Sequence, residues 1–212
     1  MTWKFKNELA RKFVHLLSLF IILVYFLAAD FFNEKIALII LVLILMIFIE
    51  FEYFRIEWGS KIPFMNKIWA YLRRTKEKDK LGGDVFFLIG AILVLAVFNV
   101  HVAIAAILMT TFGDMAAALI GKKFGKHKLL TTKSWEGTIA ELIVNVIIGF
   151  SIFILYVGNP LLAWQQWIII LVMALTATFV ETVVKKLDDN LLIPVFAGFN
   201  GQIALLILNY FW

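Results

Sequence analysis

Residues 36–54 read IALIILVLILMIFIEFEYF, fourteen apolar side chains without interruption followed by two acids set among aromatics. A run of this length exceeds an ordinary strand and approaches the about 20 apolar residues that a helix needs to cross a bilayer. Comparable runs fall at about 13–29, 84–99, 100–120, 138–158, 161–184 and 194–212. The expectation is an all-α, polytopic integral membrane protein with about seven transmembrane helices, forming one domain over residues 1–212. Composition agrees: of 212 residues, 63% are hydrophobic and 17% charged, against about 45–50% and 25% in soluble domains. A soluble enzyme is excluded.

The loops between the runs alternate in character. With alternate loops assigned to one side, nineteen of the twenty Lys and Arg fall there and only Lys35 on the other. The positive-inside bias then puts the N-terminus in the cytoplasm and the C-terminus outside. Topology thereby accounts for the net charge of +5 without a nucleic-acid partner. The competing reading of residues 1–29 is a cleavable secretory signal, with a basic start, an apolar core and Ala28-Ala29. Residues 61–72 have near-helical apolar spacing among cations, as in an interfacial helix on the cytoplasmic leaflet. Cysteine is absent, which removes disulfides, thiolate metal sites and cysteine nucleophiles. No internal repeat of the kind many transporters carry is visible.

Charges inside spanning helices are costly and call for a partner or a function. Glu50, Asp114, Glu141 and Glu181 are such charges, all toward the cytoplasmic side. Glu50 and Glu52 end a helix beside Arg55 and read as structural, as does His101 on the opposite face. The densest cluster is FGDMAAALIGKKFGKHKLLTTKSWEGT, residues 112–138. Asp114 lies two turns before Gly121 and Lys122, so all three share a helical face. Gly113, Gly121 and Gly125 allow close approach of a phosphate or of another helix. Gly121-Lys122-Lys123 lacks the spacer and the hydroxyl residue of a Walker A loop. Ser134 stands where an N-cap belongs, and the free N–H groups behind it, at Gly137, suit a phosphate.

A second cluster is ETVVKKLDDNLLIP, residues 181–194, where Glu181, Asp188, Asp189 and Asn190 offer oxygen ligands of the kind Mg²⁺ prefers. Acids after a helix C-terminus run against the helix dipole, so Asp188 and Asp189 read as ligands, with a solvated loop as the alternative. Near the N-terminus, Glu8, Arg11, Lys12 and His15 form one helical stripe, which is either a surface ion pair or a phosphate-holding edge.

These residues resemble the CTP-dependent membrane lipid kinases, which include dolichol kinase, phytol kinase and the CTP-using diacylglycerol kinase, with phosphatidate cytidylyltransferases as more distant relatives. The resemblance covers most of the chain. It rests on Glu8 with Arg11-Lys12 and His15, on Leu81-Gly82-Gly83 before Gly90, on Gly113-Asp114 with Gly121-Lys122 and Gly125, on Lys133-Ser134-x-Glu136-Gly137-Thr138, and on Glu181 with Asp189-Asn190 and Pro194. The Gly-Asp to Lys-Ser-x-Glu-Gly block is its specific part.

What the resemblance implies is a single transmembrane lipid kinase-like domain that transfers the γ-phosphoryl of CTP to the hydroxyl of a membrane lipid at the cytoplasmic face, with Mg²⁺. The acceptor is a polyprenol or dolichol, a prenyl alcohol, or a diacylglycerol. In the working assignment Asp114 and Asp189 hold Mg²⁺ with Asp188 as helper. Arg11, Lys12, Lys122, Lys133 and Ser134, with Gly121, Gly137 and Asn190, take the triphosphate. Either Glu136 or Glu181 positions or deprotonates the alcohol. The alternative reactions are cytidylyl transfer to a phospholipid with release of pyrophosphate, or transport without chemistry.

Overall fold

The computed structural model describes residues 19–58, 80–130, 133–154, 163–184 and 187–211. Arg11 and Lys12, the rest of their stripe, residues 61–72 and Lys185-Lys186 lie outside the described residues. Within them every regular element is a helix: α1 (Phe20–Phe31), α2 (Glu34–Trp58), α3 (Gly83–Val97), α4 (Val100–Leu108), a π-helical turn (Met109–Gly113), α5 (Asp114–Phe124), α6 (Trp135–Phe153), α7 (Ala163–Val183) and α8 (Asp189–Phe211). The only strand-like pairing among them is an isolated bridge between Lys128 and Ser134.

Each of the seven apolar runs therefore holds a helix. By length and apolar composition, five can cross a membrane: α2, the rod Val100–Phe124 made of α4, the π turn and α5, then α6, α7 and α8. The two others, Phe20–Phe31 and Gly83–Val97, have 12 and 15 described residues. At 1.5 Å per residue they reach about 18 and 22 Å, short of a hydrocarbon core of about 30 Å. The chain is an integral membrane protein.

The chain divides into two compact units, Met1–Ile92 and Leu93–Trp212. In the first, Asn33 ends the turn after α1 and caps α2, its Oδ1 accepting from Ile36 N at 2.9 Å. At the far end of α2, Glu52 and Arg55 are 3% and 6% exposed. Arg55 donates from Nε to Glu52 Oε1 at 3.0 Å and from Nη2 to Glu52 Oε2 at 2.9 Å. Arg55 Nη2 also reaches Lys80 O at 2.6 Å, and Gly82 N donates to Glu52 Oε2 at 2.9 Å. One buried ion pair thus fastens the end of α2 to the start of α3, the structural role expected of a helix-end acid beside a base.

Removing one partner leaves a buried charge unpaired, so Arg55→Met is expected to cost about 3–5 kcal/mol. Thermal unfolding in detergent, followed by loss of the monodisperse peak, measures it. A midpoint equal to that of the parent protein would show that the clamp contributes nothing.

The second unit packs α4, α6, α7 and α8 around Val102, Met109, Phe153, Ile169, Ile170, Met173 and Ile193. The buried residues of α6 are Gly137, Glu141, Asn145, Gly149 and Phe153, spaced by four throughout. On its other side, Trp135, Ile139, Ile143 and Ile147 are exposed. This is the reverse of a water-soluble helix: apolar side chains face outward, where lipid is the solvent, and polar ones face the protein. Asn145 Nδ2 donates to Thr178 Oγ1 at 3.1 Å, joining α6 to α7, and Asn200 Nδ2 donates to Thr176 Oγ1 at 3.0 Å, joining α8 to α7. Pro194 lies inside α8, where it has no N–H to offer Asn190 O.

Candidate active site

All sequence-assigned site residues that are described belong to the second unit. The rod Val100–Phe124 is wound as a π turn over Met109–Gly113, directly before Asp114. Such turns are uncommon and gather at functional sites. Thr110 and Thr111 within it are buried and return their hydroxyls to Ala106 O and Ile107 O at 2.8 and 3.2 Å. Asp114 is half-buried at the head of α5, and Lys122 is exposed at its last turn.

α5 and α6 cross closely because glycines face each other. A Cβ on Gly137 would stand 2.8 Å from Ala117 O and 3.1 Å from Gly121 Cα. Any larger residue at Gly137 forces the helices apart. Gly125 ends α5 with its N–H on Gly121 O at 3.0 Å, and a Cβ there would meet Ser134 Oγ at 2.7 Å. The geometry thus uses Gly121 and Gly137 to bring Ser134 against the end of α5. Ser134 caps α6, its Oγ accepting from Gly137 N at 3.2 Å.

Between the two helices, the described residues 125–130 and 133–134 form a turn closed by backbone hydrogen bonds. Leu129 N donates to Lys133 O at 3.0 Å and Trp135 N to His127 O at 3.0 Å. Glu136 holds this turn from α6: its Oε1 accepts from Lys126 N at 3.1 Å and His127 N at 3.2 Å, and stands 2.8 Å from His127 Nδ1. Its carboxylate is occupied by the loop.

Lys133 leads the other way. Its Nζ is hydrogen-bonded and ion-paired to Glu181 Oε1 on α7. The Glu181 side chain is 3% exposed and that of Lys133 26%, so the ammonium sits nearer the surface than the carboxylate it neutralises. Glu181 Oε2 is buried with no hydrogen-bond partner among the described residues. Burial works to lower the Lys133 pKa, but the charge and hydrogen bond of Glu181, then the charges of Asp189 and Asp114, outweigh it and hold the ammonium above its ordinary 10.5. Asp114 from α5, Lys133 from the loop, Glu181 from α7 and Asp189 from α8 therefore form one electrostatic cluster. Four separate segments of chain meet there.

Asp188 and Asn190 also serve the start of α8, where Asn190 N is shared between Asp188 Oδ1 and Asp189 Oδ1. Asp188 caps α8, its Oδ1 accepting from Asn190 N at 3.1 Å and from Asn190 Nδ2 at 2.9 Å, while its carbonyl oxygen accepts from Leu191 N and Leu192 N. The two aspartates precede a new helix rather than trail the old one. Acids are favoured there, which removes the argument from the helix dipole. Among the described residues no three His, Cys, Asp or Glu side chains gather closely enough to hold a metal by themselves.

Sequence alone gives Glu141 no role and does not single out Asn145 or Thr178. Glu141 is 2% exposed, and Glu181, Lys133 and Asp114 are the charges that act on it. The four-residue spacing of Gly137, Glu141, Asn145 and Gly149 is the signal that could have found them.

The chain is 30% identical over 152 residues to the CTP-dependent diacylglycerol kinase 1 of Schizosaccharomyces pombe, a match covering 68% of this chain and 70% of that protein. This chain belongs to the CTP-dependent lipid kinase family. It is also 30% identical over 148 residues to the CTP-dependent diacylglycerol kinase 1 of Saccharomyces cerevisiae, covering 67% of this chain and 49% of that one. Phytol kinase 1, chloroplastic, of Arabidopsis thaliana is 28% identical over 138 residues, covering 60% and 45%. Apart from the first, these family members are matched over about half their length. No protein-family model and no solved structure matches the chain.

Proposed function

We propose that the protein transfers the γ-phosphoryl group of CTP to the hydroxyl of a membrane lipid at the cytoplasmic face, with Mg²⁺. The observation that carries this reading is the cluster of Asp114, Lys133, Glu181 and Asp189 at one end of the apolar helices. Phosphoryl transfer asks for alignment and charge neutralisation more than for covalent chemistry, and cations beside carboxylates supply both. Lys133 and Lys122 bind phosphate oxygens; the N–H groups behind Ser134 do not, since Trp135 N is held by His127 O and Gly137 N by Ser134 Oγ. Glu181 accepts the proton of the lipid hydroxyl, since Glu136 is committed to the loop. Diacylglycerol leads among acceptors because the relative matched over 70% of its own length is named for it.

The donor set fits Mg²⁺. Asp114 and Asp189 are two carboxylates whose charges both act on Lys133, and Mg²⁺ takes one or two carboxylates together with phosphate oxygens and water. Asp114 and Asp189 would hold it. Bound there, the ion neutralises charge on the β- and γ-phosphates. The face follows from the cations, nineteen of twenty on the side of this cluster.

Protein purified in detergent, given diacylglycerol or prenols, is expected to move label from γ-³²P-CTP into an organic-extractable product, and to lose that activity with EDTA. Label from α-³²P-CTP should stay in water. Entry of the α-label with release of pyrophosphate would establish cytidylyl transfer instead. In intact cells a single cysteine at position 126 should resist an impermeant thiol reagent that labels one at position 159; the reverse pattern would invert the topology.

A further inference from the structure

Asn145 is fully buried on α6 and touches two of the segments that carry the acids of the site. On one side its Nδ2 donates to Thr178 Oγ1 at 3.1 Å. Thr178 precedes Glu181 by three residues on α7, so the two share a helical face. On the other side the Asn145 amide lies against Gly113, the last residue of the π turn and the immediate neighbour of Asp114. A Cβ on Gly113 would stand 2.4 Å from Asn145 Oδ1 and 3.2 Å from its Cγ. Only glycine lets the rod come this close. Stability alone would not select this arrangement. Asn145 Oδ1 is buried with no hydrogen-bond partner among the described residues, and a buried acceptor left without a donor is destabilising. A polar bond between membrane helices offsets little of that. Leucine at this position would have the same branched shape and no orphaned oxygen.

We propose that Asn145 is a positioning residue: its amide is the common stop against which the π turn and α7 seat, and it sets where Asp114 stands relative to Glu181 and Lys133. The inference rests on the kinase reading, in which those groups align the phosphoryl transfer. The π turn needs such a stop. Its winding differs from that of the α-helices on either side, and the hydroxyls of Thr110 and Thr111 return to carbonyls of their own helix, so those bonds do not hold the turn against α6 or α7. The amide supplies the lateral contact at the residue next to Asp114, and its bond to Thr178 refers that contact to the helix of Glu181. A displacement of about 1 Å caused far from the chemistry can cost about 100-fold in rate. That sensitivity accounts for an asparagine, with an unsatisfied oxygen, where an apolar residue would pack.

Asn145→Leu keeps the branched shape, removes the orphan and sets a methyl group, wider than an oxygen, against Gly113. Its unfolding midpoint in detergent is expected to equal or exceed that of the parent protein, while transfer of label from γ-³²P-CTP to lipid falls about 100-fold. Parent-like turnover would overturn the proposal, as would a turnover loss no larger than the loss of folded protein, which is what a purely structural role gives. Should Asn145→Leu fail to fold, a second pair of variants decides. Gly113→Ala drives a methyl into the amide and is expected to lower both midpoint and turnover. Gly113→Ala/Asn145→Ala has room for that methyl, and should regain the midpoint and at least about tenfold in turnover, as residues in direct contact do when their effects are coupled. A double variant no more stable and no more active than Gly113→Ala would overturn the proposal. The midpoints are read without nucleotide or lipid, so they report the contact whatever the reaction. A parent protein that labels no lipid would refute the kinase reading; an active parent matched by Asn145→Leu would refute this one.

Discussion

Lys133→Ala is expected to lower turnover by about 1,000-fold, the upper range for loss of one donor aimed at developing transition-state charge. It removes the proposed phosphate ligand, and it also leaves Glu181 buried and uncompensated, so the variant should be less stable as well as inactive. The double variant Lys133→Ala/Glu181→Gln separates these effects. It is expected to regain the lost thermal stability, because the uncompensated charge is gone, and to remain inactive, because ligand and base are both gone. A double variant that stays as unstable as Lys133→Ala would show that the pair does not account for the stability loss. A Lys133→Ala protein turning over within about tenfold of the parent would remove Lys133 from the phosphate site. A raised lysine pKa contributes stability that is fully present below its ordinary 10.5 and lost only as pH climbs through the higher folded value.

The residues that made this site legible were those whose chemistry is hard to explain in a membrane. Asp114 and Glu181 stood out because hydrocarbon penalises charge, and Lys133-Ser134-x-Glu136-Gly137 stood out by its spacing. What spacing could not supply was direction. Glu136 and Glu181 looked equivalent as bases until the structure turned one toward His127 and the other toward Lys133. Gly121 and Gly137 looked like phosphate contacts or helix spacers, and only the 3.1 Å approach of a Cβ to the facing glycine shows the second use.

Helix boundaries set a similar limit. Apolar runs locate the seven helices but not the π turn at Met109–Gly113, since winding depends on packing against neighbours rather than on local propensity. The run beginning near residue 194 hid a helix that starts at Asp189, because Asp188, Asp189 and Asn190 are polar for capping, and Pro194 within the first turns looks like a boundary. A proline six positions into a helix is tolerated where the carbonyl it abandons lies near the polar end.

That boundary makes the two neighbouring aspartates a discriminating pair. Asp114→Asn and Asp189→Asn are each expected to lower turnover at least about 100-fold, about 3 kcal/mol of transition-state stabilisation, because an amide keeps the shape but gives up the charge that Mg²⁺ and Lys133 meet. Asp188→Asn should leave turnover within about threefold of the parent, since Asn serves as well as Asp at an N-cap. Asp188→Ala, which removes one of the two acceptors of Asn190 N and the acceptor of Asn190 Nδ2, should instead cost about 1 kcal/mol of stability and little chemistry. Turnover against Mg²⁺ concentration distinguishes a metal ligand from a cap: loss at Asp114 or Asp189 should come with a raised Mg²⁺ requirement, and none should appear at Asp188. If Asp188→Asn proved as damaging as Asp189→Asn, both carboxylates would belong to the metal site and the cap would be incidental. If Asp114→Asn turned over normally at low Mg²⁺, the cluster around Lys133 would not be where phosphoryl transfer occurs.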